Sequence, residues 1–258
     1  MRSRWAPPRD RVRPDAVLRL AVRTFSEVCL TAGTLIVLFV AYVLLWTGVK
    51  ADRAADGEMA RLRDGWAAAA AQPAPPPAPA VAPGATPRPA EPAAPGAAPA
   101  PYPAGRAFAE MYVPRFGPDW VRPVLEGTDP ELLKKGLGHY AATARLGAVG
   151  NFSVAGHRRT YGDPFKDFPK LRQGDEVILG DGGTWYTYTI RGGPLRTLPT
   201  DVGVVDPVPR KSPFTAPGKY LTLTTCDPEW GHSHRLVVWA ELTGTRPAAQ
   251  GRPGGSSR

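Results

Sequence analysis

Cysteine is scarce in this sequence: two in 258 residues, Cys29 and Cys226. Cys29 lies inside the one long apolar run, so no intramolecular disulfide can staple the rest of the chain. Structural zinc sites use several thiols or a regular His/Cys spacing. His232 and His234, an H-x-H pair near Asp227, fall short of that. Acidic residues are present, but no spacing among them marks a calcium site. No metal and no cofactor is therefore expected, and a calcium requirement is not readable. Long hydrophobic runs are equally rare, with a single stretch of membrane-spanning length. The net charge of +9 owes much to a basic leader, so it does not argue for nucleic acid as a partner.

That leader precedes Val28–Val49, which carries no charge and is long enough to cross a hydrocarbon core as a helix. Arg2, Arg4, Arg9, Arg11, Arg13, Arg19 and Arg23 stand before it, against Asp10, Asp15 and Glu27. The excess of arginine places residues 1–27 in the cytoplasm and everything after Lys50 outside the cell membrane. Tyr42 and Trp46 sit toward the outer end, where interfacial aromatics belong. A cleaved signal peptide would have a shorter apolar region and a small-residue cleavage site close behind it; none is evident. Residues 50–71 are charged and Ala-rich, with Met59, Leu62 and Trp66 loosely at helical spacing, so a short juxtamembrane helix is expected. Residues 72–106 are almost wholly Pro and Ala. That composition cannot bury apolar surface and reads as a disordered stalk that stands the next domain away from the bilayer.

The globular part spans 107–245, a size that can hold one core, and residues 246–258 read as a disordered tail. Strand signals follow one another at Phe108–Val113, Trp120–Leu125, Asn151–Gly156, Glu176–Gly180 and Thr184–Ile190. Helical signals are brief, at Glu131–Lys135 and Pro164–Leu171. Short strands between Gly, Pro and Asp turns indicate an all-β barrel or sandwich. In KYLTLTTC, Tyr220, Thr222, Thr224 and Cys226 alternate with Leu221, Leu223 and Thr225, as in a half-buried strand. A loop with Pro228 and Gly231 leads to a second strand, Arg235–Leu242. An antiparallel hairpin results, which makes neighbours of Cys226 and Arg235.

A thiol beside a guanidinium is the central chemical feature. The thiolate is the nucleophile, and a nearby cation favours it. Arg235 could also donate to an oxygen that becomes negative when a carbonyl is attacked. Cys226 is the sole thiol of an exported domain, which suggests intermolecular pairing or a reactive cysteine. His157, directly after the strand Asn151–Gly156, is the histidine best placed to exchange a proton with it. His139 reads as a packing or loop residue.

These residues together resemble a known family. TLTTC at Thr222–Cys226, Arg235 in HRLVVWAEL and His157 in GNFSVAGHRRTYG are similar to the sortase signature, closest to class E. The resemblance covers essentially the whole globular part. It implies an eight-stranded β-barrel and a cysteine transpeptidase that attaches secreted proteins to peptidoglycan. Cys226 would attack the carbonyl of Thr in a C-terminal LAxTG/LPxTG-like sorting signal. His157 would act as general acid and base, and Arg235 would hold substrate backbone and the oxyanion. The acyl-enzyme would pass to the amine of a peptidoglycan precursor, lipid II. Thr225 and Tyr161 correspond to substrate-binding positions, Thr225 although strand alternation turns it away from Cys226. The loop residues Gly231, His232, Ser233 and His234 depart from the family pattern. Two other readings are an L,D-transpeptidase-like cross-linking enzyme, whose SHGC-x-R-like stretch is not matched here, and a non-catalytic wall-binding module. A thiol protease activity would follow if the acceptor amine were missing.

Overall fold

A computed structural model of the chain describes residues 14–72 and 101–254. Most of the Pro/Ala segment, 73–100, and the last residues, 255–258, lie outside the described residues. The chain divides into two compact units, Met1–Trp46 and Thr47–Arg258. One helix, α1 (Pro14–Ala70), contributes to both. Within the first unit it contains the candidate membrane span Leu18–Tyr42, none of it buried in protein. This shares residues 28–42 with the expected span and starts earlier, because Leu18, Leu20, Val22 and Phe25 are also exposed apolar residues on the helix. The short juxtamembrane helix expected over 50–71 is the continuation of α1 through Ala70 rather than a separate element.

The second unit is built on a sheet of β1 (Ala107–Tyr112), β2 (Val121–Glu126), β3 (Leu137–His139), β4 (Gly150–Ala155), β5 (Glu176–Gly180), β6 (Thr184–Ile190), β7 (Leu195–Thr197), β8 (Lys219–Asp227) and β9 (His234–Pro247). Neighbours run β6-β5-β1-β2-β3-β4-β8-β9, and a further β6–β9 ladder closes these eight strands into a barrel. β7 is an addition outside the closed circuit, paired on β9. Two pairs are parallel, β2 with β3 and β4 with β8; the other ladders are antiparallel. Parallel neighbours need a crossover. Between β2 and β3 it holds the single-turn helix α2 (Pro130–Leu133), and between β4 and β8 it holds β5, β6 and β7.

β9 explains how the barrel shuts. Its 14 residues pair on one side with β8 and on the other first with β7 and then with β6. The strand runs through Arg246 and Pro247, opposite Trp185 and Thr184, and a 3-10 turn follows at Ala248–Gln250. The ordered chain thus continues beyond 245, where the sequence alone shows only polar and small residues; their register against β6 holds them.

Inside the barrel, Phe152 and Val154 of β4, Leu221 and Leu223 of β8, and Val238 and Ala240 of β9 join one buried cluster with Met111, Tyr188 and Ile190. These alternate along their strands, as period-two packing requires. β8 is not half-buried as its alternation suggests: Tyr220 through Thr225 are all buried. The segment before β8 covers its outer face. Val204 there packs against Val237 and Trp239 in a second small core. The Val204 carbonyl accepts from Trp239 Nε1 at 3.0 Å, and Thr222 Oγ1 donates to Asn151 Oδ1 at 2.8 Å. Buried hydroxyls need such partners.

Candidate active site

The parallel ladder of β4 and β8 creates the site. Ala155 lies opposite Thr224, and the Gly156 N–H donates to the Thr224 carbonyl at 3.1 Å. Both strands therefore leave the sheet at the same rim. His157 follows β4 by two residues and Cys226 stands near the end of β8, so the two come to the same rim although far apart in sequence. They line one cavity of about 210 Å³ with Arg158, Arg159, Thr160, Glu229, Trp230, Gly231 and His232.

Gly156 makes the turn into this cavity possible by its size. A Cβ there would lie 2.7 Å from Leu137 Cδ2 and 2.7 Å from Phe165 Cδ2, inside the contact distance of carbon atoms. After His157, the chain returns against its own start: the Phe165 N–H donates to the His157 carbonyl at 2.9 Å. Between them Thr160, Tyr161, Gly162 and Asp163 all adopt positive φ, at 78°, 51°, 80° and 47°. Such backbone is costly for residues other than glycine and persists where surroundings enforce it.

His157 is half-buried, and its Nε2 is buried with no hydrogen-bond partner among the described residues. Burial, and secondarily the positive charge of Lys134, lower its pKa from the ordinary 6.5. The imidazole is thus neutral at pH 7, with a ring nitrogen free to exchange a proton. Cys226 is partly exposed and unpaired by any disulfide.

Arg235 lies directly opposite Cys226 in the β8–β9 register, as the hairpin reading requires. Its Nη1 donates to the carbonyls of His232 and His234, at 3.1 and 3.0 Å. The guanidinium therefore braces the intervening loop and is not among the residues lining the cavity. Thr225 points away from Cys226, as alternation predicts. Its Oγ1 donates to the Gly156 carbonyl at 2.8 Å, so it grips the turn that presents His157. Tyr161 packs tilted against His157, ring centroids 5.0 Å apart, and Lys134 Nζ lies 5.3 Å from the centroid of the Tyr161 ring. It too lies outside the cavity lining.

Sequence reasoning missed a charged tie behind the cavity. Arg158, next to His157, pairs with Asp227, next to Cys226, and Arg196 of β7 holds the second carboxylate oxygen at 2.6 Å. Burial pushes the Asp227 carboxyl up, but hydrogen bonds from Arg196 and Arg158 outweigh it and hold the pKa below the ordinary value. Arg196 also donates to His234 Nδ1 at 3.1 Å. Asp227 and His234 are thereby engaged with arginines. Arg159 pairs with Glu229 and sits 5.0 Å over the ring of Trp230, an indole that is 66% exposed at the cavity mouth. The signal for these ties was the run of arginines after His157, but nothing local named their partners. His139 is a buried packing residue, its Nδ1 2.6 Å from Glu126 Oε2 and its ring stacked on Phe152.

A closed eight-stranded barrel with a cysteine and a histidine at one rim can be compared with known proteins. The family model described as the sortase domain matches residues 111–243. The chain belongs to the sortase family. Sortase SrtE1 of Streptomyces coelicolor is 33% identical over 94% of this chain, which spans 63% of that relative's own length. The structure of sortase E from Streptomyces avermitilis is 66% identical, with a TM-score of 0.57, over 59% of this chain and 98% of that one. Sortase E1 of S. coelicolor, solved with a tripeptide in its active site, is 38% identical with a TM-score of 0.55, over 58% of this chain and 96% of that one. The sortase domain here accordingly has its class E relatives' barrel, and its matched region contains Cys226, His157 and Arg235.

Proposed function

We propose that the chain is a membrane-anchored cysteine transpeptidase. It cleaves a C-terminal LAxTG/LPxTG-like sorting signal between Thr and Gly and transfers the new Thr carboxyl to the amine of a peptidoglycan precursor such as lipid II. The observation that carries this reading is the shared cavity of Cys226 and His157, with Arg235 in register opposite the thiol.

In this mechanism the neutral His157 first accepts the Cys226 proton. The thiolate attacks the Thr carbonyl carbon, forming a C–S bond and a tetrahedral oxyanion. Arg235, released from its loop carbonyls, holds that oxyanion or the substrate backbone. As the oxyanion collapses, the Thr–Gly C–N bond breaks and His157 returns its proton to the departing glycine nitrogen. The acceptor amine then attacks the thioester, its proton passes to His157, and the C–S bond breaks to regenerate the thiolate. Water in place of the amine gives hydrolysis. No cofactor takes part in these steps. α1 supplies the anchor, with the N-terminus on the cytoplasmic side and the barrel outside. Thr225 acts as a positioning residue, and Tyr161 shapes the substrate preference beside His157.

The test incubates the full chain, in detergent, with LAxTG and LPxTG peptides and an amine acceptor, followed by intact-protein mass spectrometry. A thioester on Cys226 and cleavage after Thr are expected, and both vanish in Cys226→Ala. Folded, reduced protein that forms no adduct and cleaves neither peptide overturns the assignment.

A further inference from the structure

The second half of α1 carries a pattern that a membrane anchor does not need. Ala51, Ala55, Met59 and Leu62 are buried, while most residues between them are exposed or half-exposed. Their spacing of four, four and three marks one stripe of a helix facing protein. This stretch, from Thr47, belongs to the same compact unit as the barrel.

Its contacts reach four parts of that unit. Arg63 donates through Nη2 and Nε to the buried Glu110 of β1, at 2.7 and 3.1 Å, and to the Tyr112 hydroxyl at 3.0 Å. The Trp66 indole covers Gly182 in the β5–β6 turn so closely that a Cβ there would lie 2.5 Å from the ring. Asp52 pairs with Arg122 of β2 at 3.2 Å. The same carboxylate rests on Gly162, where a Cβ would lie 2.8 Å from Oδ1 and 3.7 Å from the Ala51 methyl. Arg122 in turn reaches the Gly162 carbonyl at 3.4 Å. Gly162 sits within the left-handed run 160–163 that follows His157, and that run needs external support.

We propose that residues 47–70 form a docked clamp of the catalytic barrel, with Asp52 as a positioning residue that steadies loop 160–163. Docking stands on the contacts alone; the consequence for His157 rests on the function proposed above.

The first test inserts a protease site within 73–100 of the full chain, tagged at its N-terminus. After complete cleavage under native conditions the barrel is expected to stay with the tag, and Ala55→Arg/Met59→Asp to release it. Release of the otherwise unaltered barrel on cutting overturns docking. The second follows hydrogen exchange in the uncut chain. The amides of Asp163 and Phe165, which donate to Thr160 and His157 carbonyls, should exchange about tenfold faster in Ala55→Arg/Met59→Asp while those of β8 stay unchanged. Unaltered exchange in the loop overturns the clamp. The third assays peptide cleavage. Asp52→Arg and Arg122→Asp should each lower kcat about three- to tenfold at constant KM, and the charge-swapped pair should recover most of it. A swap that recovers nothing removes Asp52 as a positioning residue. A full chain that cleaves no peptide overturns the proposed function, yet leaves the retention and exchange results to judge docking by themselves.

Discussion

Thr225 and His157 show how single side chains set the turn at the end of β4. The Thr225 hydroxyl is buried and holds the Gly156 carbonyl. Thr225→Val keeps the shape but leaves that acceptor short of a partner, a cost of about 1–3 kcal/mol, whereas Thr225→Ser should retain most of the stability. Urea unfolding of the two variants measures the difference, and the Val variant should lose kcat with it. His157 makes a pH prediction. Its folded pKa lies below 6.5, mainly through burial and then through Lys134. As pH falls below 6.5 the unfolded chain takes up a proton that the folded chain resists, so stability drops over that window. Above it the contribution is fully retained. His157→Gln should flatten this slope, read by denaturation at stepwise pH. The site was partly legible at this scale. Cys226, His157 and Arg235 could be named from residue type and position, but the present engagement of Arg235 with loop carbonyls could not, because it depends on the path of residues 227–234.

At the scale of elements, the decisive feature is that β4 and β8 are parallel neighbours. The β8–β9 hairpin was readable from alternation and a short loop, and its register puts Cys226 opposite Arg235 as expected. The β4–β8 pairing was not readable, since its partners lie on strands separated by three others and a covering segment. β3 and β7, three residues each, are too short to leave a periodic trace. The tie through Asp227 shared that fate because one of its partners, Arg196, is on β7. It connects the exit of β4, the end of β8 and the edge strand. The side chains of Arg158 and Asp227 are 12% and 15% exposed, so Asp227→Asn leaves guanidinium charge poorly compensated. Breaking a fully buried pair costs about 3–5 kcal/mol, and the residual exposure brings the expected loss to roughly 2–4 kcal/mol. The depressed Asp227 pKa means that the tie holds through neutral pH and is lost only as pH falls through a value below 3.8. A thermal scan of Asp227→Asn against wild type at pH 7 reads the first effect, and one at pH 3 should show the gap narrowed.

For the whole molecule, the eight strands of the barrel were anticipated by the family resemblance, and the closure by β9 carries it out. The arrangement of what precedes the barrel was not legible. Charge and alanine content between residues 50 and 71 are compatible with a free helix; Met59 and Leu62 show helical spacing, but Ala51 and Ala55, which extend the buried stripe, are too small to announce burial. The return of β8 beside β4 also has a kinetic side. Cys226 follows His157 by about seventy residues, and the β4–β8 ladder that brings them to one rim closes over that sequence distance, which is slow compared with hairpin formation. A partly folded chain therefore carries its imidazole and its thiol apart. The cavity that the two residues share is thus a property of the closed sheet and not of either strand alone.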